Sequence, residues 1–164
     1  MSSEILFQTN YLSPIGNIVI TGTSEYICSV SFREEKIITS NKLPEIVKEC
    51  KQQLKEYFAE KRKTFSFALQ QEGTNFQQLV WTQLLTIPFG KTCSYLHIAD
   101  SIGDKKSIRA VGNANGKNKI AIIVPCHRVI GKDGQLVGYA GELWRKDWLL
   151  QHENKIANGV QKLF

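Results

Sequence analysis

Metal-ligand spacing is the first thing this sequence lacks. Its four cysteines (Cys28, Cys50, Cys93 and Cys126) form no CxxC pair, and its three histidines (His97, His127 and His152) are scattered. A zinc cluster is thereby disfavoured. Long apolar runs are missing too: none approaches the ~20 residues that a membrane span needs. The opening MSSEILFQTN has no basic start followed by an apolar block, so no signal peptide is expected. A reducing, cytoplasmic setting is expected in consequence, and disulfides are disfavoured there. Repeats and low-complexity segments are absent. Charge is not extreme either: 21 Lys and Arg against 15 Asp and Glu give +6. That excess is too small to establish a nucleic-acid partner, although its sign suits one.

What is there is an ordinary globular composition over 164 residues, 42% hydrophobic and 22% charged. That is enough chain for one domain or two small ones around a real core. The first forty residues alternate in the short runs ILFQTNYL, NIVITGT and YICSVSF, separated by turn-like segments, and read as an antiparallel meander. LPEIVKECKQQLKEYFAEK follows with Ile46, Val47, Cys50, Leu54, Tyr57 and Phe58 along one helical face. TFSFAL is expected to return as a further strand. These elements make a small α+β domain over residues 1–72, with no evident chemistry.

A mostly helical second domain is expected over 73–164. Thr74 with Gln77 matches a capping box ahead of an apolar stripe at Phe76, Leu79, Val80, Leu84 and Ile87, which Pro88 and Gly90 should end. Ser94 can cap YLHIADSI, and Asp104 can cap KKSIRAVGNANG. Two short helices joined through a Gly-Asp turn suggest a helix-turn-helix. GKDGQLVGYAG is a loop with too few apolar residues to pack as an element. ELWRKDWLLQHE closes the pattern as a helix, with Glu153 one turn beyond Leu149 and Leu150. A carboxylate set among apolar neighbours needs a partner.

The most informative stretch is VPCHRV, from Val124 to Val129. The preceding IAIIV reads as a strand covered on both faces, and Pro125 should stop its pairing. Cys126 and His127 would then sit at the mouth of the core, neither deep inside nor in free solvent. A thiol near pKa ~8.5 is only partly ionised at neutral pH, so a nucleophilic cysteine wants a base and an acid to orient that base. His127 is adjacent, but neighbouring side chains point apart, so a bridging water is the easier geometry. Glu153 is the best candidate acid. From spacing alone, an unreactive cysteine at a strand end explains the stretch as well.

Taken together, IPFGKTCSY, SIRAVGNANGKN, IVPCHRVIGKDGQLVGYAGEL and KDWLLQHE closely resemble the O6-alkylguanine-DNA alkyltransferases. The resemblance runs from about Gly73 to Glu153, and the first half suits that family's small leading domain. It implies direct damage reversal: O6-alkylguanine is flipped from duplex DNA and its alkyl group passes irreversibly to Cys126. O4-alkylthymine is left open as a second lesion. The implied roles are His127 as water-mediated base, Glu153 as the acid behind it, and Asn118 as holder of the active-site turn. Tyr95 would donate a proton towards guanine N3. Arg109 would fill the stack, with Ser94, Lys106, Ala110, Gly112 and Asn113 also facing the minor groove. Pro125, Val129, Tyr139, Ala140 and Gly141 would line the pocket.

No cofactor or metal is implied, and the protein is expected to act as a monomer, near the nucleoid in a bacterium or in a eukaryotic nucleus. Three departures from the family pattern stand out. Lys119 replaces a common proline, Ser107 a common alanine, and Glu142 a common glycine, which brings an acid near the pocket. A non-catalytic lesion-binding relative would typically carry tryptophan in place of Cys126. A major-groove helix-turn-helix regulator would leave PCHRV and Glu153 unexplained.

Overall fold

The computed structural model describes residues 4–159. Two compact units divide the chain between Gln71 and Glu72. In the first, β1 (Phe7–Ser13), β2 (Gly16–Gly22) and β3 (Ile27–Phe32) form an antiparallel sheet in sequence order. The expected meander is therefore present. The sheet lies against α1 (Glu45–Phe58), whose buried face carries Val47, Cys50, Leu54, Tyr57 and Phe58. Ile18, Ile20, Ile27 and Val30 meet that face from the sheet, all essentially without solvent contact.

TFSFAL does not form the expected strand; only Leu69 makes a bridge, parallel to Ile27. Local competition explains this. The buried Gln53 side chain accepts the Ser66 backbone N–H at 3.0 Å and donates to the Ser66 hydroxyl at 2.9 Å. The Phe65 ring packs on Tyr57 at 5.7 Å. A backbone donor satisfied by a side chain is lost to any ladder.

The second unit begins with α2 (Asn75–Leu84), and its capping box forms as expected between Thr74 and Gln77. The helix stops at Leu84, earlier than Pro88; Ile87 is still buried but lies beyond the helical span. Trp81 donates its indole N–H to the Ala114 carbonyl at 2.9 Å, fixing α2 to α4 (Ile108–Gly116). Gly73 is needed here, because a side chain at that position would meet the Trp81 ring at 2.5 Å.

α3 (Tyr95–Ser101) starts where the Ser94 hydroxyl accepts the His97 N–H. Asp104 caps a single 3₁₀ turn, Lys105–Ser107, that feeds into α4. These two helices are the helix-turn-helix pair. Last comes α5 (Leu143–Asn158), ending in a left-handed Gly159. Among the described residues no helix is long and apolar enough to cross a membrane.

The expected strand over 120–124 is a turn instead, apart from a bridge at Ile120. The residues are as buried as a central strand would be, with Ile120, Ile122, Ile123 and Val124 all in the core. Their backbone, however, closes on itself: the Val124 N–H reaches the Ile120 carbonyl and the Ile123 N–H the Ala121 carbonyl. Ile122 takes a positive φ of 72° to allow it, a costly conformation for a β-branched residue. The ladder residues are β5 (Val129–Ile130), parallel to β4 (Cys93–Ser94). That short pairing brings Tyr95 beside the PCHR turn.

Candidate active site

Asn118 builds the site from its floor. Its Nδ2 donates to the carbonyls of Val124 (2.9 Å) and Ile120 (3.3 Å), while Oδ1 accepts the Ile120 N–H at 3.1 Å. One amide thus holds the buried turn that sequence periodicity mistakes for a strand. The same Nδ2 lies 3.2 Å from the Cys126 sulfur. Cys126 and His127 then start a 3₁₀ turn, Cys126–Arg128.

Both are deeper than the sequence suggested. Cys126 is 6% exposed and His127 fully buried, because the turn before them folds into the core where a strand would have ended at its edge. Burial raises the Cys126 thiol above its ordinary value, while the Asn118 hydrogen bond, the Lys146 charge and nearby backbone N–H groups pull the other way. At rest the sulfur is held mainly as a thiol.

His127 Nε2 lies 2.8 Å from Glu153 Oε2. Its other ring nitrogen, Nδ1, is buried and has no hydrogen-bond partner. Burial lowers the His127 pKa, and the neighbouring carboxylate only partly offsets that; the ring is neutral near pH 7 and able to accept a proton. Glu153 is 1% exposed. Burial alone would raise it, but the charges and hydrogen bonds of His127 and Arg128 prevail and hold it well below the usual carboxylate range. Cys126, His127 and Glu153 are thus brought together as expected, and no direct hydrogen bond joins the sulfur to the imidazole.

Two residues in this cluster escaped sequence reasoning. Arg128 donates Nε to Glu153 Oε1 at 2.7 Å and Nη2 to Oε2 at 3.1 Å, and its Nη1 reaches the Ile87 carbonyl at 2.7 Å. It is the partner that the buried carboxylate required, and it stands in the quoted motif beside His127. Lys146 is fully buried and donates Nζ to the carbonyls of Val129 (2.6 Å) and Val137 (2.8 Å). Burial lowers its pKa to about 8. The available signal was its place two turns before Glu153, on the face of α5 that also buries Leu149 and Leu150.

Tyr95 is half-buried, and its hydroxyl donates to the Val137 carbonyl at 3.2 Å. The loop over 131–141 is therefore tied at Val137 by both Tyr95 and Lys146. Tyr139, farther along it, has a buried hydroxyl without a hydrogen-bond partner. Val129 and Pro125 are buried, Gly141 half-buried, and Ala140 exposed. Glu142 sits at the lip with φ 76° and ψ 146°. Its carboxylate accepts the Trp144 indole N–H at 2.7 Å, and the Arg145 guanidinium lies 4.6 Å from the Trp144 ring centre.

The outward side of the helix-turn-helix has a different character. Arg109, Ala110, Asn113, Lys106 and Lys117 are exposed, and Lys105 meets Asp100 only at 3.9 Å. Gly112 lies against Tyr95: a side-chain carbon there would come within 4.0 Å of that ring. The Ser94 hydroxyl is engaged in capping α3. Among the described residues, no group of three or more His, Cys, Asp or Glu side chains could hold a metal ion.

Comparison with known proteins gives a consistent result. The DNA-binding domain of the 6-O-methylguanine DNA methyltransferases matches residues 75–155, and their ribonuclease-like domain matches residues 6–71. The constitutive methylated-DNA–protein-cysteine methyltransferase of Bacillus subtilis is 44% identical over 143 residues, spanning 82% of this chain and 87% of that protein. The crystal structure of Mycobacterium tuberculosis O6-methylguanine methyltransferase superposes with a TM-score of 0.84 at 41% identity, over 95% of this chain and 97% of that one. The M. tuberculosis protein in complex with DNA gives 0.83 at 44% identity, over 92% and 94%.

Proposed function

The chain belongs to the 6-O-methylguanine DNA methyltransferase family, and from that membership we propose that it repairs duplex DNA by moving an alkyl group from guanine O6 to Cys126, once per molecule. The observation that carries this reading is a single polar chain under one cysteine. Asn118 contacts the sulfur at 3.2 Å, and the adjacent His127 is held at 2.8 Å by a Glu153 that Arg128 keeps ionised.

The chemistry follows from those groups. A water between the thiol and His127 Nδ1 carries the S–H proton to the imidazole, and Glu153 stabilises the imidazolium that forms. The thiolate then attacks the alkyl carbon. The S–C bond forms as the C–O6 bond breaks, and the bonding pair departs onto the guanine ring. Tyr95 donates its hydroxyl proton to N3, so the base leaves neutral. Such general-acid help is worth roughly 100-fold or more. The thioether left on Cys126 has no hydrolytic route back to the thiol, which limits each molecule to one event. Proton transfer and displacement suffice, so the reading assigns no cofactor.

A base stacked in a duplex cannot reach a sulfur that is 6% exposed. The lesion must therefore be flipped, at a cost of a few kcal/mol in lost stacking. Exposed Arg109 on α4 fills the gap, and small Ala110 and Gly112 let that helix approach the minor-groove floor. Lys106, Asn113 and Ser94 hold the backbone, while Pro125, Val129, Tyr139, Ala140 and Gly141 enclose the base and its alkyl group. Residues 73–164 thus carry the chemistry and the DNA contacts, with residues 1–72 as a separate leading domain; the protein acts as a monomer.

The test is a titration with a duplex containing O6-methylguanine in excess. Transfer should stop at one methyl group per protein. Continued turnover would refute the irreversible step.

A further inference from the structure

Asn115 lies on the buried side of α4 and is 2% exposed. Its Nδ2 donates to the Cys126 carbonyl at 3.3 Å. A carbonyl only accepts, so this contact fixes which end of the amide is nitrogen. The other end, Oδ1, is buried and has no hydrogen-bond partner. An acceptor removed from water and left unmet carries its full desolvation penalty, and such groups in folded proteins call for an explanation. The same side chain is within hydrogen-bonding reach of the Tyr95 phenol.

A donor and an unmet acceptor therefore stand side by side above the nucleophile's own backbone. Guanine presents the complementary pair on neighbouring ring atoms: N3 accepts, and the 2-amino group on C2 donates. Alkylation at O6 leaves both unchanged.

We propose that Asn115 Oδ1 accepts a hydrogen bond from the 2-amino group of the flipped guanine while Tyr95 serves N3. The proposal rests on the function given above and adds a recognition residue to it. Asn115 then links three parts of the reaction. It sits on the helix that carries Arg109, it holds the Cys126 main chain, and it tells a 2-aminopurine from a purine without that group.

The test compares two duplexes that differ by the 2-amino group alone, one with O6-methylguanine and one with O6-methylhypoxanthine. Single-turnover transfer by the wild type should be roughly tenfold slower on the second, the usual effect of one hydrogen bond. Asn115→Leu keeps the volume and removes the acceptor. It should slow transfer from O6-methylguanine and bring the ratio of the two rates close to one. Loss of the bond to the Cys126 carbonyl would slow both substrates alike, so only the ratio reports Oδ1. Asn115→Ala gives the same reading if leucine disturbs the fold. A wild-type ratio of one, or a ratio unchanged in the variants, would overturn the proposal. Wild-type protein that takes a methyl group from neither lesion would instead overturn the methyltransfer itself.

Discussion

Arg128 and Glu153 form a two-point ion pair in the interior of the second unit, with Nε to Oε1 at 2.7 Å and Nη2 to Oε2 at 3.1 Å. The pair turns an isolated buried acid into a fixed anion under His127. Its electrostatic attraction is largely offset by the cost of taking both ions out of water, so its value lies in orientation. Removing one partner is another matter, since the other charge is then left buried alone.

Arg128→Leu should accordingly destabilise the protein by ~3–5 kcal/mol. Urea denaturation would measure this as a lower midpoint at similar slope. A loss below ~1 kcal/mol would mean that Glu153 finds another partner or takes up a proton.

The same pair makes stability depend on pH. The folded Glu153 carboxyl is depressed, so the unfolded chain binds the proton more readily. Its contribution is present above the unfolded value of about 4.3 and lost as pH falls below that towards the folded one. Melting temperatures of the wild type should fall more steeply below pH 4 than those of Glu153→Gln. Parallel curves would remove Glu153 as the source.

Arg109 concerns the duplex and not the chemistry. If it fills the gap left by a flipped nucleotide, Arg109→Ala loses ~2–3 kcal/mol of compensation, roughly 30- to 200-fold in the rate on duplex DNA. A free O6-benzylguanine base needs no flipping and should react nearly as fast with the variant. Equal losses on both substrates would point to a folding defect, which a melting curve would reveal.

Glu142 occupies backbone space, φ 76° and ψ 146°, that is close to a region used almost solely by glycine. Its carboxylate is engaged by Trp144, so the acid at the lip has a hydrogen-bond partner outside the Cys126 cluster. Glu142→Gly should relieve about 1 kcal/mol of strain and raise the melting temperature, with methyl transfer little changed. A lower melting temperature would show that the Trp144 contact outweighs the strain.

The contrast between legible and hidden parts of this chain is physical. Helix caps are local, and Thr74, Ser94 and Asp104 could be read directly because each acts within a few residues. The β1–β3 meander was legible for the same reason. The run Ile120–Val124 was not: burial was read correctly, but apolar residues buried on all sides look alike in a strand and in a turn. The deciding group was Asn118, whose side chain replaces a ladder. TFSFAL failed through Gln53, which lies 13 residues before Ser66. Cys126, His127 and Glu153 were found through their motif, whereas Arg128 and Lys146 were passed over because a cation in a sequence looks solvated until a fold buries it. Asn115 left no signal beyond its place in the RAVGNANG stretch.

The central claim is that Cys126 is the alkyl acceptor, and the intact mass of the protein after mixing with an O6-methylguanine duplex tests it most directly. A gain of one methyl group is expected, located by peptide mapping on the segment containing Cys126 and absent from Cys126→Ser. No gain, or a methyl group found on Cys28, Cys50 or Cys93, would contradict the account.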